Sequence, residues 1–149
     1  MATKFITEQL EITSDSEVQG ELNGSKDIIH FNRDADTGSA YCEAGEVTTV
    51  GDSHSGVPTV GIPMVRPGSV TGMSVRWAGS TGGTSGFCQL HTPDGFLFGV
   101  TLTSSVDITT QPRYTDEFSA GDIFAAFITV NGVDTMRDIV VEIEVIYDE

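Results

Sequence analysis

The stretch Asp138-Ile-Val-Val-Glu-Ile-Glu-Val-Ile-Tyr147 constrains this chain more than any other. In an extended strand, Val141, Ile143, Val145 and Tyr147 share one face, while Glu142 and Glu144 share the other. Strict alternation of this kind marks a strand with one side on a core and one in water. Val70 to Trp77 alternates in the same way, with Met73, Val75 and Trp77 together. Ile123 to Val130 is almost wholly apolar, as a strand buried on both sides would be. Phe87 to His91 and Phe96 to Leu102 flank Thr92-Pro-Asp-Gly95, whose Pro-Asp-Gly run predicts a hairpin turn. Asn131-Gly132 is a second turn signal just after a strand. No apolar stripe at i, i+3, i+4 persists over about 11 residues, so no helix longer than a turn or two is expected. The pattern predicts an all-β, antiparallel β-sandwich or jelly roll.

Composition agrees with that reading. The 149 residues suffice for one domain with a real core. Val, Thr, Ile, Ser and Gly dominate (17 glycines), favouring strands and tight turns over helices. We expect a single β-sandwich domain over 1–149. Within it, 1–57 supplies polar N-terminal strands or an arm, and 58–149 is the strand-dense core. Strand character in the first part falls at Phe5 to Ile12, Ile28 to Phe31 and Glu46 to Val50. Residues 79–86, Gly-Ser-Thr-Gly-Gly-Thr-Ser-Gly, predict a flexible loop too short to be a linker.

Charge narrows the partners. Twenty-two acidic residues against 7 basic give a formal charge of -15, a surface that repels nucleic acid and anionic lipid. Few lysines (Lys4 and Lys26) beside many aspartates also suit a saline, halophilic setting. No run approaches a membrane span, and no signal-peptide pattern opens the chain, so synthesis in a cytoplasm is expected. Cys42 and Cys88 do not form a disulfide framework; buried free thiols are the expectation, with a bridge the alternative.

Two motifs carry a resemblance. In Gly61-Ile-Pro-Met-Val-Arg-Pro-Gly-Ser-Val-Thr-Gly-Met-Ser-Val75, Pro63 and Pro67 cannot donate ladder hydrogen bonds. Arg66-Pro67-Gly68 then turns the chain into an alternating strand. In Phe118-Ser-Ala-Gly-Asp-Ile-Phe124, Gly121 permits a turn and Asp122 can bond its backbone before a long buried strand. Together these resemble small jelly-roll domains of tailed-virus virion surface proteins, and the Gly121-Asp122 turn is similar to that of the trimeric C1q and tumour-necrosis-factor fold. Val65 before the arginine and the second proline after it depart from the viral pattern. The resemblance spans roughly 58–147.

It implies a homotrimeric virion structural protein: a capsid decoration or head-surface protein that stabilises the lattice. Its partners would be copies of itself and the major capsid protein or another virion protein, with no nucleic acid, membrane or cofactor. It would be made in the host cytoplasm and sit on the capsid surface. The alternative is a receptor-binding or fibre-tip module recognising a host glycan or protein. Phe87, Phe96, Phe98, Phe124 and Phe127 offer more aromatic area than one small core needs, so we assign them to core or subunit interface.

Chemistry finds little foothold. His30, His54 and His91 form no metal-spacing motif. Ser53-His54-Ser55 places nucleophile and base as neighbours that point apart on an extended chain. Asn32, Asp34, Asp36 and Glu43 imitate positions one, three, five and twelve of a calcium loop, but Thr37 replaces the glycine its sharp turn needs. Asp116-Glu117 point apart, and Glu142 and Glu144 belong to a solvated face, so neither pair predicts glycoside hydrolysis. Trp77 is read as core rather than a sugar platform, and Asn23-Gly-Ser25 is a glycosylation sequon. We expect no enzyme, no catalytic residues and no resident metal.

Overall fold

Nested antiparallel pairing organises the chain. The computed structural model describes residues 25–34, 38–44, 61–78, 86–103, 106–131 and 135–148, and every regular element among them is a strand. These are β1 (Lys26–Arg33), β2 (Ala40–Tyr41), β3 (Glu43–Ala44), β4 (Ile62–Pro63), β5 (Gly68–Ala78), β6 (Gly86–Thr92), β7 (Gly95–Leu102), β8 (Val106–Thr110), β9 (Asp116–Phe118), β10 (Ile123–Val130) and β11 (Arg137–Tyr147). Among the described residues the first strand pairs with the last, β2, β4 and β6 with β10, β5 with β8 and β9, and β6 with β7. A long hairpin folded on itself in this way is the jelly-roll winding. One sheet runs β3-β1-β11-β5-β8, with β9 also on β5; the other runs β2-β10-β6-β7, with β4 also on β10.

The predicted alternation is realised. Val141, Ile143 and Val145 of β11 are fully buried, as are Val70 and Val75 of β5 or nearly so. They meet Leu90, Leu102, Phe124 and Ile128 of the opposite sheet in one core. Trp77 packs against its margin, which favours the core role over a sugar platform. Along β10 the side chains divide between two places. Phe124, Ala126, Ile128 and Val130 enter the main core, whereas Ala125 and Phe127 join Tyr41 in a second cluster.

Local chemistry sets the turns. Pro93-Asp94 closes the β6–β7 hairpin, and Gly95 adopts φ 123°, a conformation that costs a residue with a side chain. In the β9–β10 turn Gly121 adopts φ 94°, and the Asp122 carboxylate accepts the Ser119 amide at 2.8 Å. This turn also grips the proline-rich segment: the Gly121 amide donates to the Met64 carbonyl (2.7 Å), and the Met64 amide to the Asp122 carbonyl (2.8 Å). Pro63 and Ile62 pair with Ile123 and Phe124. Two motifs nearly 60 residues apart in the chain are thus one structural unit. Gly68 is required by close approach, since a Cβ there would lie 2.4 Å from the Ile146 carbonyl oxygen.

A β-bulge bends β5 where Glu144 and Val145 oppose Gly72 and Val70. Thr71 is the extra residue, and its hydroxyl donates to Glu144 Oε1 at 2.7 Å. Gln111 bonds the bulge backbone, with its amide on the Thr71 carbonyl and Nε2 on that of Val70. Cys42 and Cys88 are both free and buried in the main core. Burial pushes the Cys42 thiol up to about 12 and the Cys88 thiol well above its ordinary value.

The strand expectations at Phe5 to Ile12 and Glu46 to Val50, the loop at 79–85, Gly132, and the sequon's Asn23 lie outside the described residues.

Candidate functional site

Strand register converts each outer sheet face into a grid of known neighbours. On the β2-β10-β6-β7 sheet, Tyr41, Phe127, Gln89 and Gly99 form one outward row. Ala125, His91 and Phe96 form the next, and Thr129, Phe87 and Thr101 a third. The rings contact edge to face: Tyr41 and Phe127 have centroids 4.8 Å apart, and Tyr41 and His91 6.1 Å. His91 continues the chain to Phe96 at 6.4 Å. Burial raises the Tyr41 phenol above its ordinary value, and among the described residues its enclosed hydroxyl has no hydrogen-bond partner. Phe96 leans over Gly99, where an added Cβ would stand 3.1 Å from the ring. Toward β7 the face opens, with Phe87 45% and Phe96 59% exposed. None of these positions carries Asp, Glu, Lys or Arg, in a chain of charge -15.

The five phenylalanines therefore separate. Phe124 and Phe98 belong to the main core, and Phe127 is buried in the second cluster; Phe87 and Phe96 are exposed. Strand parity decides this, because only neighbouring strands reveal which side of a doubly apolar strand faces the other sheet.

The opposite face, on the β1-β11-β5-β8 sheet, has a different chemistry. Its rows read Ile28–Glu144–Gly72–Thr110, His30–Glu142–Ser74–Ile108 and Asn32–Val140–Arg76–Val106. Gly72 leaves a dip, and a shallow groove of about 160 Å³ runs between Ile28 and Ile108 with Glu142 and Glu144 beside it. Ser74 donates its hydroxyl to Glu142 Oε2 (3.2 Å), and His30 Nδ1 lies 3.6 Å from Glu142 Oε1. Ile28 (51%), Ile108 (67%), Val106 and Val140 are all exposed.

Other candidate groups stand apart. Asn32 and Glu43, the ends of the calcium-like run, are cross-strand partners in β1 and β3; Asp36 and Thr37 lie outside the described residues. Among the described residues no three His, Cys, Asp or Glu side chains gather where they could hold a metal ion. Asp116 and Glu117 occupy successive positions of β9, opposite Val70 and Ser69, and so face opposite sides. Ser53-His54-Ser55 lies outside the described residues. Of the signature-turn residues, Pro63, Gly121 and Asp122 meet around Met64, Gly68 is walled in by β11 and Phe118, and Arg66 and Pro67 project outward.

Tyr41 and Ile108 carry no expectation from the sequence, while Ile28 is expected only as a strand residue and His91 only as a strand residue outside any metal motif. For Ile28 a signal existed, since alternation through Ile29 and Phe31 turns Ile28 and His30 outward. For Tyr41, in a two-residue strand, there was none.

Comparison with protein-family models, curated proteins and solved structures yields no match to this chain.

Proposed function

We propose that the chain is a non-enzymatic structural module that associates with copies of itself on a virion surface, as a capsid decoration or head-surface protein. The observation that carries this reading is where the exposed apolar area lies. Of eight large apolar side chains exposed among the described residues, six stand on strands rather than loops: Ile28, Val106, Ile108 and Val140 on one sheet face, Phe87 and Phe96 on the other. Clustered apolar side chains on flat sheet faces are what an interface between subunits needs, and solvent is a poor final neighbour for them. Pairing of the Met64 segment with the Gly121-Asp122 turn adds support, because it unites the two motifs on which the viral resemblance rests.

In this reading the sandwich is a rigid spacer whose task is contact. Homotrimerisation about an axis would bury apolar faces, and the exposed carboxylates would meet solvent or basic capsid patches. Sedimentation over a wide concentration range, together with copy number in purified particles, tests it. Self-association and many copies on the head are expected. A chain that remains monomeric throughout and never accompanies particles would end the proposal.

A further inference from the structure

The groove on the β1-β11-β5-β8 face sets a condition on how copies meet, and this inference rests on the self-association reading. Glu142 and Glu144 flank the groove, and neither has a Lys or Arg partner among the described residues. What they have is a hydroxyl each, from Ser74 and Thr71, and the His30 ring near Glu142. Arg76 stands on the same face, in the neighbouring row, and makes no ion pair with either among the described residues. Apolar walls, Ile28 and Ile108, stand on the two sides. Such a site is complementary to a cation carried beside aliphatic carbon.

Symmetry then disfavours one arrangement. A face-to-face pair with its two-fold axis through the groove would bring four carboxylates together as apolar surface is desolvated around them. Like charges so placed oppose association, so a different part of the neighbouring molecule is the better occupant of the groove.

The chain itself presents a matching part. Between β4 and β5, Val65 is 80% exposed, the most exposed large apolar side chain among the described residues, and Arg66 beside it is exposed too. Arg66 makes no ion pair among the described residues. Its backbone is held from both sides, by Met64 bonded to the β9–β10 turn and by Pro67, whose carbonyl accepts the Asp148 amide. An apolar-plus-cationic tip on a fixed loop loses little entropy on docking. The groove volume of about 160 Å³ has room for one long side chain. We propose that the Val65–Arg66 tip of one copy seats in the Ile28/Ile108/Glu142/Glu144 groove of the next, a head-to-tail contact of the kind that can generate rings.

Charge reversal tests this, with each variant first checked for a native Trp77 emission and, at concentrations low enough to be monomeric, a wild-type urea midpoint. Wild type is expected to oligomerise, and R66E alone or E142K/E144K alone to weaken association about tenfold or more in sedimentation. Mixing the two variants restores complementary contacts, the intact tip of E142K/E144K in the intact groove of R66E and the reversed tip of R66E in the reversed groove of E142K/E144K, so hetero-oligomers are expected. The triple variant R66E/E142K/E144K should regain assembly. Oligomers indifferent to both reversals, or no rescue on mixing and in the triple variant, would overturn the head-to-tail contact while leaving self-association standing. A wild type that is monomeric at every concentration would instead remove the reading on which it rests.

Discussion

Replacing single phenylalanines by alanine separates core from surface using one chemical change. Phe124 has no exposed surface, and its ring sits 4.9 Å from that of Phe118 in an edge-to-face pair. Truncating such a side chain removes its transfer energy and leaves a cavity, a cost of about 3–5 kcal/mol. Phe96 lies on the outer face, 59% exposed, over Gly99 and beside the His91 ring. Its truncation leaves no enclosed cavity, so we expect a loss on the order of 0.5 kcal/mol. Urea unfolding followed by the emission of Trp77, the only tryptophan and one packed against the core, reads both variants. With a slope of roughly 2 kcal/mol per molar urea, F124A should lower the midpoint by about 2 M and F96A by a few tenths at most. The work must be done at low protein concentration, because association stabilises the folded state by mass action. An F96A midpoint as low as that of F124A would refute the division of the β10 and β7 side chains between core and outer face.

Further outcomes follow from individual contacts. Cys42 and Cys88 should resist a thiol reagent until the chain unfolds, since burial disfavours both thiolates. They should also fail to cross-link on oxidation: Cys88 on β6 lies opposite Ile128, and Cys42, between β2 and β3, bonds Ala126 from the other side of β10, so about 10 Å of sheet separates them against a disulfide limit of about 7 Å. Above pH 9.0 the unfolded chain releases the Cys42 proton while the folded chain keeps it to about 12. Stability should therefore fall as pH rises through that window, and C42A should flatten the fall in urea midpoints. D122A removes the acceptor for the Ser119 amide at an exposed turn and should cost about 1 kcal/mol, with D122N intermediate. G68A drives a methyl against the Ile146 carbonyl and should cost about 1–3 kcal/mol, visible as a lowered Tm.

Alternation along β11 and β5, the hairpin at Pro93-Asp94-Gly95 and the Asp122-bonded turn were all written in the sequence, because each depends on neighbours within a few residues. A two-residue period or a glycine at positive φ is a local property, and a chain of any topology would express it. The sandwich class followed from the sum of such signals. The tertiary structure alone decided what depends on partners distant in the chain. Pairing of Lys26 with Ile146, the Thr71 bulge, and the meeting of Met64 with Gly121 join segments that no local pattern connects. So does the partition of five phenylalanines between two faces. In β10 both faces are apolar, and alternation assigns sides without saying which side meets the other sheet. Only the strands on either side of β10 supply that answer, and they placed Phe124 inside, Phe127 beside Tyr41, and Phe87 and Phe96 where a second molecule can reach them.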